Sequence, residues 1–318
     1  MKINGATAFT GIIGYPIEHT LSPVFQNAAF EHAGLNWAYL PFKVAPARLG
    51  AALAGLKACD CRGLNVTMPH KQAAYDLVDE VDKSAELVRA VNTIEFKDGR
   101  LVGHSTDGSA FIRSLKSDAH FNPVKKRALV VGAGGAAQSI ALSLAAAGAA
   151  QIIMLNRTVE KAENIVGLIR SHYSDCAASI GDINDPAQVK NCDLVVNATS
   201  VGMTANAGVP LALDLLESDQ IVYDVIYWPP ETEFLRLAKE KGARTVNGAS
   251  MLLYQGAAAF TIWTGLPAPI EQMAAALAAE LSARGTEGIS ATNEQSSGKN
   301  ITRNETGHPG AAGRSKGG

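Results

Sequence analysis

The sequence predicts an α/β fold of two domains, one of them an open, doubly wound parallel sheet. Its 318 residues are enough for two domains of roughly 150 residues each. Hydrophobic residues make up 47% of the chain, which supplies enough apolar material for a core in each domain. Short apolar runs alternate with helical segments between about residues 125 and 247, and that alternation is typical of a parallel sheet covered by helices.

Four apolar runs in this region predict buried parallel strands. They lie at residues 128–131, 152–155, 194–196 and 221–223. Each run is continuously apolar rather than alternating, as expected for a strand covered on both faces. Between the first two, the Ala- and Leu-rich segment 138–147 contains no helix breaker and is followed by Gly148, so we expect a helix that ends there.

The remaining segments are also mixed α/β. Within the first 107 residues, strand candidates lie at 37–42 and 63–67. Near the other end, residues 249–264 predict a helix, and a second helix is expected over 269–284, opened by a proline and ended by Gly285.

These elements define the expected domains. We expect residues 1–107, completed by the helices of 249–285, to form a smaller α/β domain, and residues 108–248 to form the doubly wound one, with a cleft between them. Residues 286–318 contain two large aliphatic side chains and no aromatic one. Because such a segment buries too little apolar surface to offset its ordering entropy, we expect a disordered tail with no catalytic role.

Charge and hydropathy exclude several classes of protein. The 28 Lys+Arg and 30 Asp+Glu give a net charge of −2, whereas a nucleic-acid-binding protein normally has a basic face. No apolar run approaches the ~18 residues of a membrane span, and the first residues contain no apolar leader. The four scattered cysteines suit neither a disulfide framework nor a metal site. We expect a cytoplasmic monomer or homodimer that binds a small molecule, with no metal, nucleic-acid or membrane partner.

A glycine-rich loop follows the first strand of the parallel sheet and opens its helix. Its residues are Gly132, Ala133, Gly134, Gly135, Ala136 and Ala137. The first glycine suits a tight turn, the second lets a pyrophosphate approach the backbone, and Ala137 lets helix and strand pack closely. The helix N-terminus then presents free N–H groups to the phosphates. The alternative is an ordinary glycine-rich turn, but the flanking strands and helix favour dinucleotide binding.

The end of the second strand indicates which dinucleotide binds. NAD sites usually place Asp or Glu there for the ribose 2′-hydroxyl, but this strand is followed by Asn156, Arg157 and Thr158, with Lys161 nearby. Arg157 suits stacking on adenine, and the cluster suits charge-assisted hydrogen bonds to a 2′-phosphate. The alternative is a solvated surface cluster whose charge Glu160 partly offsets. The sequence favours NADP.

Eight short motifs occur in order along the chain, and with them the sequence resembles the shikimate dehydrogenase family. They lie at residues 20–23, 65–71, 90–93, 103–107, 132–136, 156–158, 197–202 and 255–263. The resemblance spans about residues 11–285. It implies a Rossmann-like NADP domain, a smaller substrate domain, and the reversible, NADP-linked reduction of 3-dehydroshikimate to shikimate in chorismate and aromatic amino-acid biosynthesis.

The resemblance also implies roles for individual residues. Lys71 is expected to act as acid and base with Asp107 as its partner, because oxidising a secondary alcohol requires a base for the hydroxyl proton. The alternatives are a surface lysine after a turn and a helix N-cap aspartate. The other residues implied at the site are Thr20, Ser22 and Tyr227 for the substrate carboxylate, Thr67, Asn92, Asp107 and Gln255 for the ring hydroxyls, and Val225 and Gly248 beside the nicotinamide.

Two positions depart from the family pattern. Position 20 is Thr where Ser is usual, and position 105 is Ser where Asn is usual. A change of about one methylene in a pocket shifts substrate preference by about 1–3 kcal/mol. The alternatives are therefore a quinate/shikimate or aminoshikimate dehydrogenase, including one that uses NAD, or a non-catalytic metabolite-binding regulator, which retention of Lys71 and Asp107 disfavours.

Overall fold

The computed structural model describes residues 2–204 and 208–297 as two six-stranded sheets with helices packed against them. The first sheet contains β1 (Ala8–Gly14), β2 (Trp37–Lys43), β3 (Gly63–Val66), β4 (Glu80–Val81), β5 (Thr93–Lys97) and β6 (Arg100–His104). The second contains β7 (Arg127–Val131), β8 (Gln151–Leu155), β9 (Ala177–Ile180), β10 (Leu194–Asn197), β11 (Ile221–Asp224) and β12 (Arg244–Val246).

The helices alternate with these strands along most of the chain. They are α1 (Ser22–His32), α2 (Leu49–Ala58), α3 (Lys71–Leu77), α4 (Lys83–Glu86), α5 (Asp107–Asp118), α6 (Gly135–Ala146), α7 (Val159–His172), α8 (Glu233–Glu240), α9 (Ala249–Thr264) and α10 (Ile270–Ser297). Within the described residues, no helix has the length and apolar composition to cross a membrane.

The second sheet is parallel throughout and doubly wound, as the sequence predicts. Its strand order is β12-β11-β10-β7-β8-β9, so the chain moves outward from β7 first to one side and then to the other. The order reverses between β7 and β10, and ligands of such sheets bind beyond the carboxyl ends of the strands at that point. The glycine-rich loop follows β7 and therefore lies there.

The first sheet is mixed. Its order is β2-β1-β3-β5-β6-β4, with β1 parallel to β2 and β3, and β5 antiparallel to both β3 and β6. Helices α1 and α9 lie over one face, where Phe25, Phe30 and Phe260 are fully buried. A second apolar cluster that includes Leu49 and Leu64 fills the other face.

Helix α9 connects the two halves of the molecule. Its Met251 packs in the core of the second sheet, whereas Phe260 and Trp263 pack in the core of the first. The Trp263 indole donates a hydrogen bond to the Ile94 carbonyl oxygen over 3.0 Å, and Gln26 donates to the Gly256 carbonyl oxygen over 2.8 Å. These contacts agree with an α9 that completes the first half, while the exact domain boundaries stay predictions.

The predicted helix ends are confirmed at two places and wrong at a third. Gly148 follows α6 with φ +86°, and Gly265 follows α9 with φ +69°, both in the left-handed region. Helix α10, however, continues through Gly285 to Ser297, so the predicted end at Gly285 is wrong. A glycine inside a helix costs about 1 kcal/mol relative to alanine but keeps its N–H, so it weakens a helix without ending it. Residues 286–297, which we expected to belong to a disordered tail, lie in this helix, and the rest of the predicted tail, 298–318, lies outside the described residues.

Candidate active site

A cavity of about 290 Å³ lies between the two sheets. Val66 and Thr67 at the end of β3, Val225 after β11 and the face of α9 that carries Met251 form parts of its wall. Every residue predicted at a catalytic or substrate position lines it: Thr20, Ser22, Thr67, Lys71, Asn92, Asp107, Tyr227 and Gln255. The fold thus brings eight polar side chains from six separate segments together, although their individual roles stay predictions.

Lys71 and Asp107 form an ion pair at this cavity. Lys71 is the first residue of α3 and Asp107 the first residue of α5, and the ammonium Nζ lies 2.5 Å from the carboxylate Oδ2. The two side chains are only 20% and 7% exposed, which excludes the surface-lysine interpretation of Lys71. The N-cap alternative for Asp107 is also wrong, because Thr106 occupies that position and the Asp107 carboxylate is bound by side chains instead.

Asn92 holds the second oxygen of the Asp107 carboxylate. Its Nδ2 donates to Asp107 Oδ1 and to Thr106 Oγ1, both over 2.9 Å, and its Oδ1 accepts from the Thr106 backbone N–H over 2.8 Å. Gln255 Oε1 lies 3.5 Å from the same Asn92 amide. The carboxylate is therefore fixed by one charged and one neutral donor, which orients its oxygens within the cavity.

Two buried side chains to which the sequence analysis assigned no role support this arrangement. The Tyr39 phenol donates to Asn65 Oδ1 over 2.7 Å, and Asn65 Nδ2 donates to the Asn92 carbonyl oxygen over 3.2 Å. Burial raises the pKa of the Tyr39 phenol well above its usual value, while a hydrogen bond with Ser22 lowers it. A signal for Tyr39 exists in the sequence, since a tyrosine inside an apolar strand needs a partner for its hydroxyl.

Neutral donors and a helix N-terminus surround the end of the cavity nearest α1. The helix begins at Ser22, which is 1% exposed, and the Thr20 hydroxyl oxygen accepts the Ser22 backbone N–H over 3.3 Å. Burial raises the pKa of the Tyr227 phenol, and the nearby Arg284 charge partly offsets that rise. A helix N-terminus and hydroxyl donors favour an anion, so this end suits a carboxylate.

The glycine-rich loop borders the same cavity and fits a dinucleotide phosphate. Gly132 has φ +116°, which allows the tight turn after β7, and it donates its N–H to the carbonyl oxygen of Leu155 in β8 over 2.7 Å. Gly134 is exposed, a Cβ there would meet nothing within 4 Å, and no side chain caps α6. Open space beside uncapped N–H groups is what a pyrophosphate requires. Ala137 is fully buried, as predicted for close packing of helix and strand. The other predicted loop residues, Ala133 and Gly135, flank Gly134.

The residues predicted to select NADP lie outside the cavity, at the carboxyl end of β8. Arg157, Thr158 and Lys161 are exposed, and Asn156 bridges the turn by donating Nδ2 to the Thr158 carbonyl oxygen over 2.7 Å. Since β8 pairs with β7, this cluster lies beside the glycine-rich loop. The electrostatics therefore suit a phosphate at this position, next to the loop.

Three predicted cofactor residues line the cavity itself. They are Ala136, Val225 and Gly248. A Cβ at Gly248 would collide with the Val225 carbonyl oxygen, so only glycine allows this approach of the two backbones.

Two histidines lie near the predicted site residues. His19 lines the cavity. His70 is buried, and its ring nitrogen Nε2 lies 2.7 Å from the Val44 carbonyl oxygen, which agrees with a structural role for His70. In the described part of the chain, no group of three or more His, Cys, Asp or Glu side chains is placed to hold a metal ion.

Comparison with known proteins gives matches along most of the chain. Residues 12–94 match the shikimate dehydrogenase substrate binding domain, residues 116–204 match the shikimate / quinate 5-dehydrogenase domain, and residues 248–278 match the shikimate 5′-dehydrogenase C-terminal domain. Together these matches cover strands of both sheets, the glycine-rich loop and helix α9.

Curated proteins and solved structures agree with these matches. A shikimate dehydrogenase (NADP(+)) from Moorella thermoacetica is 44% identical over 276 residues, covering 86% of this chain and 93% of that protein. The crystal structure of shikimate 5-dehydrogenase from Listeria monocytogenes with shikimate and NAD is 39% identical, with a TM-score of 0.79 over 86% of this chain and 97% of that one. The enzyme from Thermus thermophilus with NADP(H) and shikimate is 34% identical, with a TM-score of 0.76 over 85% and 98%. This chain belongs to the shikimate dehydrogenase family.

Proposed function

We propose that this protein is an NADP-dependent shikimate dehydrogenase, which catalyses the reversible reduction of 3-dehydroshikimate to shikimate. The observation that carries the proposal is the Lys71–Asp107 pair in a cavity that the cofactor loop also borders. An alcohol dehydrogenation requires a proton acceptor beside the hydroxyl and a hydride acceptor beside the carbon. This cavity contains a candidate proton acceptor, borders the loop expected to bind the hydride acceptor, and has a size suited to a small, polar substrate.

Lys71 and Asp107 act on the proton. When shikimate is oxidised, the pair accepts the proton of the reacting hydroxyl, and when 3-dehydroshikimate is reduced, the Lys71 ammonium donates it back to the carbonyl oxygen. Bound NADP+ supplies the acceptor for the hydride that leaves the carbinol carbon. Asp107 keeps the ammonium aimed into the cavity, and Asn92 keeps the Asp107 carboxylate in place.

The remaining polar residues orient the substrate. The substrate carboxylate lies at the N-terminus of α1 and accepts hydrogen bonds from the hydroxyl groups of Thr20, Ser22 and Tyr227. Thr67, Asn92 and Gln255 bind the ring hydroxyls, which places the reacting one beside Lys71. Hydroxyl donors bind a carboxylate without the desolvation of a further buried charge.

The chain's own residues hold the cofactor at three places. The backbone from Gly132 to Ala136 binds the pyrophosphate, and Asn156, Arg157, Thr158 and Lys161 bind the adenosine end with its 2′-phosphate. Val225 and Gly248 border the nicotinamide. The absence of a carboxylate after β8 favours NADP over NAD, since Asp or Glu at this point would repel the 2′-phosphate.

Thr20 gives a reason to keep a second candidate, a quinate/shikimate or aminoshikimate dehydrogenase. Its methyl group adds bulk at the predicted carboxylate end of the cavity, and a change of about one methylene there is enough to shift the choice between such ring acids. Ser105, the other departure, is not among the residues that line the cavity, and its Oγ lies 3.4 Å from Ser139 Oγ of α6. Of the two departures, only Thr20 therefore bears on substrate choice.

A spectrophotometric assay tests the proposal. Reduced nicotinamide is followed while shikimate and quinate are each combined with NADP+ and with NAD+. We expect the highest kcat/KM for shikimate with NADP+. A higher kcat/KM for quinate assigns the protein to the second candidate, and a higher kcat/KM with NAD+ contradicts the cofactor assignment. Absence of turnover in all four combinations contradicts the proposed enzymatic activity.

We further propose that the protein is located in the cytoplasm and is a monomer or homodimer.

A further inference from the structure

Helix α6, which begins in the cofactor loop, is hydrogen-bonded to the half of the molecule that carries Lys71. The side chain that makes this bond is Gln138, which is 9% exposed. Its Nε2 donates to the Val88 carbonyl oxygen over 2.6 Å. Val88 belongs to the turn between α4 and β5, so the bond connects the first turn of the cofactor helix to the half of the molecule that contains the first sheet.

The turn that accepts this bond continues directly into the catalytic cavity. Arg89 has φ +48° and donates its N–H to the Ala85 carbonyl oxygen over 2.8 Å, which fixes the shape of the turn. Val91 then donates its N–H to the Lys71 carbonyl oxygen over 2.9 Å, and Asn92 follows. A displacement of Val88 would therefore move both the backbone of Lys71 and the Asn92 side-chain amide that is hydrogen-bonded to Asp107.

The same face of α6 lies close to the Lys71 side chain. A Cβ at Gly135 would lie 3.5 Å from the Cβ and Cδ atoms of Lys71 and 3.4 Å from the Ala90 Cβ, which is ordinary van der Waals contact. One turn later, Ser139 contacts Ser105, two residues before Asp107. Positions 135, 138 and 139 share one face because they are three and four residues apart.

We propose that Gln138 is a positioning residue, which sets the distance between the cofactor loop and the Lys71 ammonium by holding α6 on the Val88 turn. The inference rests on the proposed dehydrogenase function. The cofactor loop lies on one half of the molecule and Lys71 on the other. The distance between the hydride acceptor and the proton acceptor therefore depends on the contacts between the two halves. Removal of the Gln138 bond leaves the carbonyl oxygen of the buried Val88 without that donor.

Removal of the amide should affect the chemical step more than cofactor or substrate binding. Misplacement of reacting groups by about 1 Å costs up to a hundredfold in rate. We expect Gln138→Met, which keeps length and apolar volume but donates no hydrogen bond, to lower kcat by about ten- to a hundredfold with KM values for shikimate and NADP+ within about threefold of wild type. The matched control is Gln151→Met, which makes the same chemical change at the amino end of β8, far from the loop.

Three measurements test the proposal. The first is kcat and both KM values, and the second is the primary deuterium isotope effect on kcat with shikimate deuterated at the reacting carbon. The third is amide hydrogen exchange of peptides spanning residues 86–92 and 132–140 in the enzyme without cofactor. In Gln138→Met we expect a larger isotope effect, because hydride transfer becomes more rate-limiting, together with faster exchange in both peptides. In Gln151→Met we expect neither change.

A second variant gives a rescue. Gln138→Glu places a carboxyl group at the Val88 carbonyl oxygen, and that group donates a hydrogen bond only while it is protonated. Its kcat relative to wild type should therefore rise as the pH is lowered. A lower kcat with an unchanged isotope effect and no pH-dependent recovery would mean a loss of folded enzyme and would overturn the proposal, as would wild-type kinetics in Gln138→Met. Failure of the wild-type protein to oxidise shikimate would instead contradict the proposed function on which the inference rests.

Discussion

The Lys71 ammonium and the Asp107 carboxylate lie 2.5 Å apart, although 36 positions separate the two residues in the chain. Each is the first residue of a helix, and each helix follows a strand of the first sheet. The sheet order places β5 between β3 and β6, so the ends of these strands bring the two helix starts to one point. Burial of a charged pair has a large desolvation cost unless its remaining polar atoms are hydrogen-bonded. Asn92 donates a hydrogen bond to the second oxygen of the Asp107 carboxylate.

Replacement of Lys71 should abolish most of the turnover while leaving the protein folded. We expect Lys71→Ala to lower kcat by about 10²–10⁴, because a positioned acid or base contributes that much, with a small change in the KM for shikimate. Steady-state kinetics with shikimate and NADP+ measure it. Lys116→Ala is the matched control, since Lys116 is an exposed lysine of α5. A near-wild-type kcat in Lys71→Ala would refute the role of Lys71.

Replacement of Arg157 should weaken NADP binding selectively. The side chain is exposed beside the glycine-rich loop, where a 2′-phosphate would receive its charge-assisted hydrogen bonds. We expect Arg157→Ala to raise the KM for NADP+ about tenfold, corresponding to about 1.4 kcal/mol, and to leave the KM for NAD+ nearly unchanged. The exposed Arg236 of α8 provides the control substitution. Equal effects on both cofactors would show that Arg157 does not contact the 2′-phosphate.

The buried carboxyl of Asp224 should make stability depend on pH. Burial raises the pKa of Asp224 above its usual 3.8, although its oxygens accept hydrogen bonds from Ile226, Thr232 and Asn197. The folded protein therefore keeps this proton to a higher pH than the unfolded chain does. Between the two pKa values the folded state binds more protons, so this group's contribution to stability falls as the pH rises through that window.

Asp224→Asn should remove this dependence, because the amide retains an acceptor for Asn197 and Ile226 and carries no charge. Urea unfolding of both proteins from about pH 4 to about pH 7 measures the difference in unfolding free energy. We expect wild type to lose stability relative to Asp224→Asn as the pH rises. A difference that stays constant, or changes in the opposite direction, would contradict the raised pKa.

Glycine is required at position 248 for steric reasons alone. Gly248 has φ −77°, which any residue adopts, but a Cβ would collide with the backbone oxygen of Val225. We expect Gly248→Ala to lower the unfolding free energy by about 1–3 kcal/mol and to raise the KM for NADP+, because the Val225 backbone at the cavity must shift. Thermal and urea unfolding measure the first effect. In contrast, Gly55→Ala in α2, where a Cβ meets nothing within 4 Å, should stabilise the protein by about 0.5–1 kcal/mol. Equal behaviour of the two variants would exclude the steric argument.

Four strands of the parallel sheet could be predicted because they are mostly apolar, whereas the edge strands β9 and β12, which contain Ser179, Arg244 and Thr245, were not predicted. The observed β7, β8, β10 and β11 lie within one residue of the predicted strands, since a strand buried on both faces tolerates few polar residues. Helix α6 begins at Gly135, three residues before the predicted start, because the glycine-rich loop itself forms the first helical turn.

The first sheet was harder to predict because polar residues and glycines interrupt the apolar pattern of its strands. Strand β1 contains Thr10, Gly11 and Gly14 among its apolar residues, which hides its period. The β5–β6 hairpin has a signal that was missed: Asp98 and Gly99, with φ +49° and +73°, form the two-residue turn typical of Asp-Gly.

The site residues could be predicted from motifs, but their contacts could not. The eight residues predicted at catalytic and substrate positions all line the cavity, and it was the resemblance of their motifs to a known family that identified them. The Tyr39–Asn65 hydrogen bond and the Gln138–Val88 bond join positions 26 and 50 residues apart, and only the sheet order and helix packing determine such pairs.

A crystal structure with shikimate and NADP+ tests the central claim most directly, through the distance from Lys71 Nζ to the oxygen of the hydroxyl on the carbon nearest the nicotinamide. We expect about 2.6–3.2 Å, as direct proton transfer requires, with the substrate carboxylate at Thr20, Ser22 and Tyr227. A Lys71 ammonium directed into bulk solvent, or shikimate bound outside this cavity, would contradict the account.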